Sequence, residues 1–370
     1  MKNTLYLLVF CVVIASCGEK KKDAVVEKIE DSPKEFLVFE GQDKNAKQIV
    51  LISGDEEYRS EEALPQLAKI LSTHYGFKCT VLFAQDPSLP GIVNANYVTN
   101  IPGLETLNTA DMMVIFTRFR ALPDNQMKHI DDYLKTGKPV LGIRTATHAF
   151  NFAKDASSNY AHYGNYYQGD KTEWTDGFGR LVLGENWVNH HGHHKHQSTR
   201  GVFAEGAAEN PITHGIESGE IWGPTDVYGV RLPLPEDSLP IILGQVVLRD
   251  GEFNEEDVFF GMKPTDTKLA TENKEGLKVN DILMPIAWTK SYQLPNGKKG
   301  KAFTSTIGSA TDMLNEGVRR LLINGVFWAM DQPVPDKANV TFVGDYTPSA
   351  YGFRTDAYWI EKNLSVQSLE

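Results

Sequence analysis

The clearest signal along the chain is a set of short, unbroken apolar runs separated by segments with helical spacing. Gln48 to Ser53 is one such run and ends at Gly54; an uninterrupted apolar stretch of this length suits a strand buried on both faces, as in a parallel sheet. Leu64, Leu67, Ala68 and Leu71 then recur at three-to-four spacing, which predicts a helix over about Ser60–His74 with Ser60 as its N-cap. Cys79–Phe83 and Met112–Phe116 predict the next two strands. Pro123 opens a second helix carrying Met127, Ile130, Tyr133 and Leu134, Gly137 ends it, and Pro139–Ile143 predicts a fourth strand. Strand and helix in alternation imply right-handed crossovers and an α/β fold built on an open, doubly wound, mostly parallel sheet with helices on both faces. Ile241–Val247, Met284–Trp288 and Ala302–Thr306 predict further strands, and Asp312–Met330 a last helix with Leu314, Val318, Leu321, Leu322 and Val326 on one face. Between them, Lys154 to about Val227 loses all periodicity and becomes rich in Gly, Tyr, Trp and His; an insertion that long and irregular is usually functional.

Ligands of open α/β sheets sit outside the carboxyl ends of the strands, so the residues after each run are the first candidates. They are Glu57, Tyr58 and Arg59 after the first strand, Arg118 and Arg120 after the third, and Arg144 and His148 after the fourth. Any one charged tip can be a solvated turn, but three on one rim point to a site. The densest chemistry lies in the insertion, where His190, His191, His193, His194 and His196 fall within seven residues, followed by Arg200. Histidine serves as metal ligand and as acid or base near neutral pH. If the segment is extended, alternate side chains share a face, so His191 and His193, or His194 and His196, point the same way. Three readings stay open: acid/base or substrate hydrogen bonding through His191 and His194, a divalent metal held by His191, His193 and His194, or structural histidines. The metal reading needs three or four convergent ligands, and the spacing matches no standard zinc motif. Tyr160, Tyr163, Tyr166, Tyr167 and Trp174 upstream are either core cover or platforms for a sugar ring. Asp226, at a predicted strand start, can act as a base or orient a histidine.

The ends change the picture of where the protein works. Lys2 followed by an apolar stretch from Leu5 to Ala15 is too short to span a bilayer, which takes about 20 residues, and reads as a secretory signal. Ile14-Ala15-Ser16-Cys17 fits a lipobox, making Cys17 the acylated N-terminus of an exported lipoprotein held at an outer membrane or periplasmic face. Residues 18–46 read as a charged tether, 47–332 as the α/β domain and 333–370 as a C-terminal extension whose Tyr351, Phe353, Tyr358 and Trp359 dock on the domain or on a protein partner. Of three cysteines only Cys79 belongs to the mature domain, so no intramolecular disulfide forms. A net charge of −11 argues against nucleic acid, whose binding needs basic surface.

Ile52-Ser53-Gly54 with Glu57-Tyr58-Arg59, the run Gly142 to His148, the His-rich stretch, Trp222 to Tyr228 and Gly308 to Trp328 together resemble a trehalose-utilisation (ThuA-like) domain of the class I glutamine amidotransferase-like superfamily, over about Lys47 to Gln332. The resemblance implies a flavodoxin-like sheet and an association with trehalose and related sugars, including keto-glycosides. Two departures matter. The amidotransferase elbow has the form Gly-x-Cys-x-Gly, and here Arg144 stands in place of the Cys; without a thiolate there is no thioester route to glutamine hydrolysis. Many members carry Gly-His after the last strand, where this chain has Gly308-Ser309. The expected function is carbohydrate processing (hydrolase, lyase or isomerase chemistry) with His148, His191, His194 and Asp226 as the catalytic groups. Glu57, Tyr58, Arg59, Arg118, Arg120, Arg144, Trp174 and Arg200 are expected to bind a small-molecule carbohydrate. The rivals are a non-catalytic sugar binder and a metal-dependent hydrolase.

Overall fold

The computed structural model describes residues 33–370 apart from 155 and 236. The signal segment, Cys17 and the first part of the expected tether lie outside the described residues. In chain order the strands are β1 (Phe36–Phe39), β2 (Gln48–Gly54), β3 (Lys78–Phe83), β4 (Met112–Thr117), β5 (Val140–Ile143), β6 (Asn189–His190), β7 (Gln197–Phe203), β8 (Ile221–Gly223), β9 (Tyr228–Gly229), β10 (Leu239–Leu248), β11 (Met284–Tyr292) and β12 (Gly300–Ser305). The helices are α1 (Ser60–Tyr75), α2 (Asp124–Lys135), α3 (Glu316–Ala329) and α4 (Asp356–Lys362), with short 3-10 turns between elements.

Ten strands form one sheet in the order β1-β3-β2-β4-β5-β12-β11-β10-β7-β8, and β6 pairs with β9 outside it. From β3 to β12 every neighbouring pair is parallel; β1 and the four strands beyond β12 are joined antiparallel. The α/β class therefore stands, but the expected mostly parallel sheet is a mixed one, a five-stranded parallel half extended by a four-stranded antiparallel wing. Helices are few for its width.

Alternate residues of β2 enter two different cores, as the two-residue period of a strand requires. Ile49 and Leu51 pack with Leu64, Leu67 and Leu71 of α1 and Val318, Leu321 and Leu322 of α3. Val50 and Ile52 pack with Met127, Ile130 and Leu134 of α2.

Several local expectations are corrected. β1 lies in the stretch read as tether and pairs with β3 through Phe36↔Leu82 to Phe39↔Cys79; its four apolar residues were hidden behind charged neighbours. Ser60 is the first helical residue rather than the cap, because its hydroxyl meets Ser53 Oγ at 2.8 Å and accepts the Asp55 N–H at 3.0 Å. Arg59 caps the helix in the left-handed region at φ 61°. The long insertion is not structureless: it holds β6, β7 and β8. The C-terminal extension docks on the domain, with Tyr351 and Trp359 buried.

Candidate functional site: a carboxylate with two histidines and an arginine

The parallel strands all deliver their carboxyl ends to one rim. After β2 the chain turns through Asp55, whose buried carboxylate accepts the Glu57 N–H (2.8 Å), the Tyr58 N–H and the Thr145 hydroxyl (2.5 Å). One carboxylate thus ties the tip of β2 to the tip of β5 and aims Glu57 and Tyr58 inward. Asp312 does the same on the far side, accepting the N–H groups of Gly308 (3.0 Å) and Ser309 (2.9 Å) after β12 and the Thr225 hydroxyl (2.8 Å). A Cβ on Gly223 would meet Asp312 Oδ1 at 2.1 Å, so this crossing demands glycine. Together these ties fix Asp226.

Asp226 is fully buried and engaged on both oxygens. His190 donates from Nδ1 to Oδ2 at 2.8 Å; His194 donates from Nδ1 to Oδ1 at 3.2 Å; Arg144 donates from Nη2 to Oδ1 at 3.1 Å. Burial would raise the Asp226 pKa, but the two histidine hydrogen bonds and the Arg144 charge outweigh it and hold the carboxyl well below the usual carboxylate range. Burial pulls the other way on His190, yet the hydrogen bond and charge of Asp226 win and raise its pKa. His190 Nε2 has no hydrogen-bond partner among the described residues, and its side chain is 40% exposed, so this nitrogen is available to a ligand.

His194 points its Nε2 at Glu57 Oε1, 3.4 Å away. Burial above all, reinforced by the Asp55 charge and only partly offset by Arg118, raises Glu57 to about 7. A carboxyl group poised there holds its proton close to neutral pH. Arg118 Nε lies 3.7 Å from Glu57 Oε2 and its Nη1 pairs with Glu56.

Arg144 occupies the turn after β5 with φ 47°, a backbone region costly for any residue with a Cβ. Its guanidinium compensates: Nη1 donates to the Asp226 carbonyl (2.9 Å) and the Thr306 carbonyl (2.6 Å), and the group lies between the rings of Tyr228 (3.7 Å) and Tyr58 (4.3 Å). At this turn the chain therefore places a buried cation that fixes a carboxylate.

The structure sorts the residues singled out from the sequence. Glu57, Tyr58, Arg118, Arg144, His194 and Asp226 converge. His148 sits beside them, its ring near Phe119 (4.9 Å) and Trp187 (5.1 Å), and burial together with the Arg118 and Arg144 charges pushes its pKa well down, so it stays neutral. The extended reading of the histidine stretch is corrected: the chain turns after β6, with Lys195 at φ 64°, so His190 and His194 pair instead of alternate residues. His191 turns away, its Nε2 2.8 Å from the Val279 carbonyl, and His193 stacks on His196 at 4.2 Å. The potential ligand set in the structure is therefore His190, His194 and Asp226, whose atoms lie within 4.8 Å of one another, and not His191, His193 and His194. Arg59 is buried against Gly352 O and Glu61 (3.5 Å), and Arg120 against Arg118 O (2.7 Å), Ala95 O (2.8 Å) and the Glu56 carboxylate that also pairs with Arg118. Arg200 ties loops together through the carbonyls of Gly219 (2.9 Å) and Asp266 (3.0 Å). Trp174 fills the second core against Tyr163 at 4.3 Å. His190, named in the histidine stretch but given no role of its own there, is the histidine the fold sets on Asp226.

The C-terminal extension closes one wall. Tyr351 stacks on Tyr58 (5.3 Å), meets His194 edge-on (5.2 Å) and donates to the Pro224 carbonyl (3.1 Å), while Gly352 N–H donates to the Glu57 carbonyl (2.7 Å).

No family model matches the chain, and no curated protein matches it by sequence. Among solved structures, a crystal structure from Parabacteroides merdae whose protein is described as ThuA-like is similar with a TM-score of 0.44 and 14% identity, covering 84% of this chain and 98% of that one.

Proposed function

We propose that this chain is a ThuA-like carbohydrate-processing enzyme working by acid/base chemistry, with His190 as the base, Asp226 as the group that orients and charges it, and Glu57 as the acid. The observation that carries the reading is the His190–Asp226 pair with a free Nε2, beside a carboxyl poised at about 7. The sugar assignment rests on the residue resemblance. The order β3-β2-β4-β5-β12 and the placement of α2 against a different core from α1 and α3 support the flavodoxin-like, doubly wound reading of the parallel half.

On a glycoside carrying a ketone at C3, His190 Nε2 removes the proton at C2, next to the carbonyl. The C2–H electrons form a C1=C2 double bond, the C1–O bond breaks, and the departing oxygen takes the proton of Glu57. Arg118, half-open at the rim, faces the charge that develops on the ketone oxygen; such preorganised donors are usually the largest catalytic term. No step needs a nucleophile at the elbow.

The direct test is release of 4-nitrophenol from 4-nitrophenyl 3-keto-glucoside by the exported chain. Turnover that falls about 10²–10⁴-fold in His190→Ala supports the reading; turnover equal in wild type and variant contradicts it. The clustering of His190, His194 and Asp226 favours a second reading, a divalent metal on two histidines and one carboxylate. Arg144, bonded to the same carboxylate, opposes a second cation there. Loss of turnover to a chelator, restored by zinc or manganese, would promote that reading. A lipid anchor on Cys17 at an outer membrane or periplasmic face is proposed for the exported chain. No helix of the described residues is long and apolar enough to cross a membrane.

A further inference from the structure

One cavity opens directly on the proposed base. It holds about 340 Å³ and has His190 and His194 in its lining, together with Lys195, Lys274 and Glu275. Both histidines bond the buried Asp226, so the hydrogen-bonded pair already described lies at its edge. The volume is at the small end of ligand pockets, enough for one sugar ring with a substituent.

The charge of this lining runs against that of the whole molecule. The chain carries a net charge of −11, yet two ammonium groups and one carboxylate meet here. Neither Lys195 nor Lys274 is in an ion pair among the described residues, whereas Lys278 on the same loop as Lys274 is tied to Glu272 at 2.6 Å. Lys195 stands at φ 64°, a left-handed position where Gly or Asn costs less. Its ammonium lies 5.0 Å from the centre of the Phe260 ring, and an aromatic face receives a cation without supplying a counter-charge. Glu275 opposes the lysines more weakly than they act: burial first, then the Lys274 charge ahead of the opposite Glu275 charge, hold His193 below its ordinary value. Ammonium groups left without carboxylates on a concave surface attract an anion.

We infer that this cavity receives an oxyanion substituent of the substrate, a carboxylate or a sulfate, through Lys195 and Lys274, and that the substrate is an acidic glycoside. The inference rests on the carbohydrate reading of the site and adds which sugars that site selects. Loss of charge-assisted contacts of this kind lowers affinity about tenfold.

Isothermal titration of the full exported chain at low ionic strength tests it with methyl β-glucoside, methyl β-glucuronide and glucose 6-sulfate. None carries the C3 ketone that the elimination needs, so the wild type binds them without turnover. The glucuronide or the sulfate should bind about tenfold or more tighter than the glucoside, and the tighter of the two names the oxyanion. Added salt should erode the difference. Lys195→Met with Lys274→Met should bring the acidic probe down to the level of the glucoside, while Arg at both positions should keep the preference. Lys278→Met removes the same charge from the same loop outside the cavity lining and should leave the preference standing. Melting of the double Met variant should match the wild type, because Lys274 is exposed and Lys195 half-buried; if it does not, Lys274→Met alone carries the test. Equal affinity for the three probes, a preference that survives the double substitution, or one lost equally in Lys278→Met overturns the anion subsite. Each of these leaves the acid/base site standing, since that site is judged by 4-nitrophenol release in the wild type and His190→Ala. If none of the three probes binds, the anion subsite falls and the keto-glucoside assay alone decides the acid/base reading.

Discussion

The parallel half and the antiparallel wing contribute opposite things to the same site. From the parallel half come Glu57, Arg118 and Arg144, set on tight loops after β2, β4 and β5 and braced by the buried carboxylate of Asp55. From the wing and the small β6–β9 pair come His190, His194 and Asp226, carried on turns whose positions depend on Asp312 and Gly223. The first set is mostly fixed charge and a carboxyl that burial raises to about 7; the second set carries His190, whose pKa the Asp226 hydrogen bond and charge raise against burial. Arg144 and Asp226 join them across the seam. The turn after β5 thereby anchors, through Arg144, the same carboxylate to which His190 and His194 bond.

The largest way to break that division is to cut the seam. Arg144→Met leaves Asp226 buried without its cation, and removing one partner of a buried pair costs about 3–5 kcal/mol. The melting temperature should drop by roughly 5–10 °C, read by calorimetry or near-ultraviolet circular dichroism, and turnover should vanish. Retention of the wild-type melting point would mean the two halves are held together by packing alone.

A smaller and more selective break separates the two histidine sets. His190→Ala should lower kcat about 10²–10⁴-fold and, by taking one hydrogen bond from the buried Asp226 carboxylate, should cost about 1–3 kcal/mol of stability. His193→Ala, on the stacked pair with His196, should leave kcat within about threefold. Equal losses in both would show that the stretch acts as a structural unit and not through one base.

The pH profile sharpens the comparison further. The base must be deprotonated, and His190 is raised above its ordinary value, so activity rises as pH climbs through that point. The acid must be protonated, and Glu57 is at about 7, so activity falls above it. A bell-shaped profile results, its alkaline limb set by Glu57, and Glu57→Gln should remove that limb along with most of the rate.

The smallest effect is on stability. Glu57 binds its proton more tightly when folded than when unfolded, so between the ordinary carboxylate range and about 7 the folded state holds more protons and loses stability as pH rises. Glu57→Gln should therefore raise the melting temperature at pH 8, by about 1–2 °C for a gain of about 1 kcal/mol, and leave it nearly unchanged at pH 4. A shift of the same size at both pH values would put the cause elsewhere.

The two regions also differ in how far the sequence revealed them. β2 and β4 lie inside the sheet, buried on both faces, so Ile49–Ile52 and Met112–Phe116 run unbroken as apolar residues and are unmistakable. β7 was lost in the insertion because its buried residues are polar: Gln197, Ser198 and Thr199 are inside, with Ser198 accepting the Trp222 indole N–H (3.2 Å) and Thr199 donating to the Thr225 carbonyl (2.6 Å). Hydrogen bonds satisfied by distant partners replaced the apolar signal. The histidines were legible as chemistry but not as geometry, since a turn at Lys195 decides which of them face Asp226. Trp174 and Arg200 looked like ligand contacts because a bulky ring and a long cation can serve either a core or a site, and only the fold distinguishes the two.

The most direct test needs no substrate. Titration of the His190 ring by NMR, in the wild type and in Asp226→Asn, measures whether Asp226 charges and orients the base. The account predicts a His190 pKa raised above its ordinary value in the wild type that falls measurably in the variant. The same pKa in both proteins would contradict it, and would leave His190 as a surface histidine that merely lies close to a carboxylate.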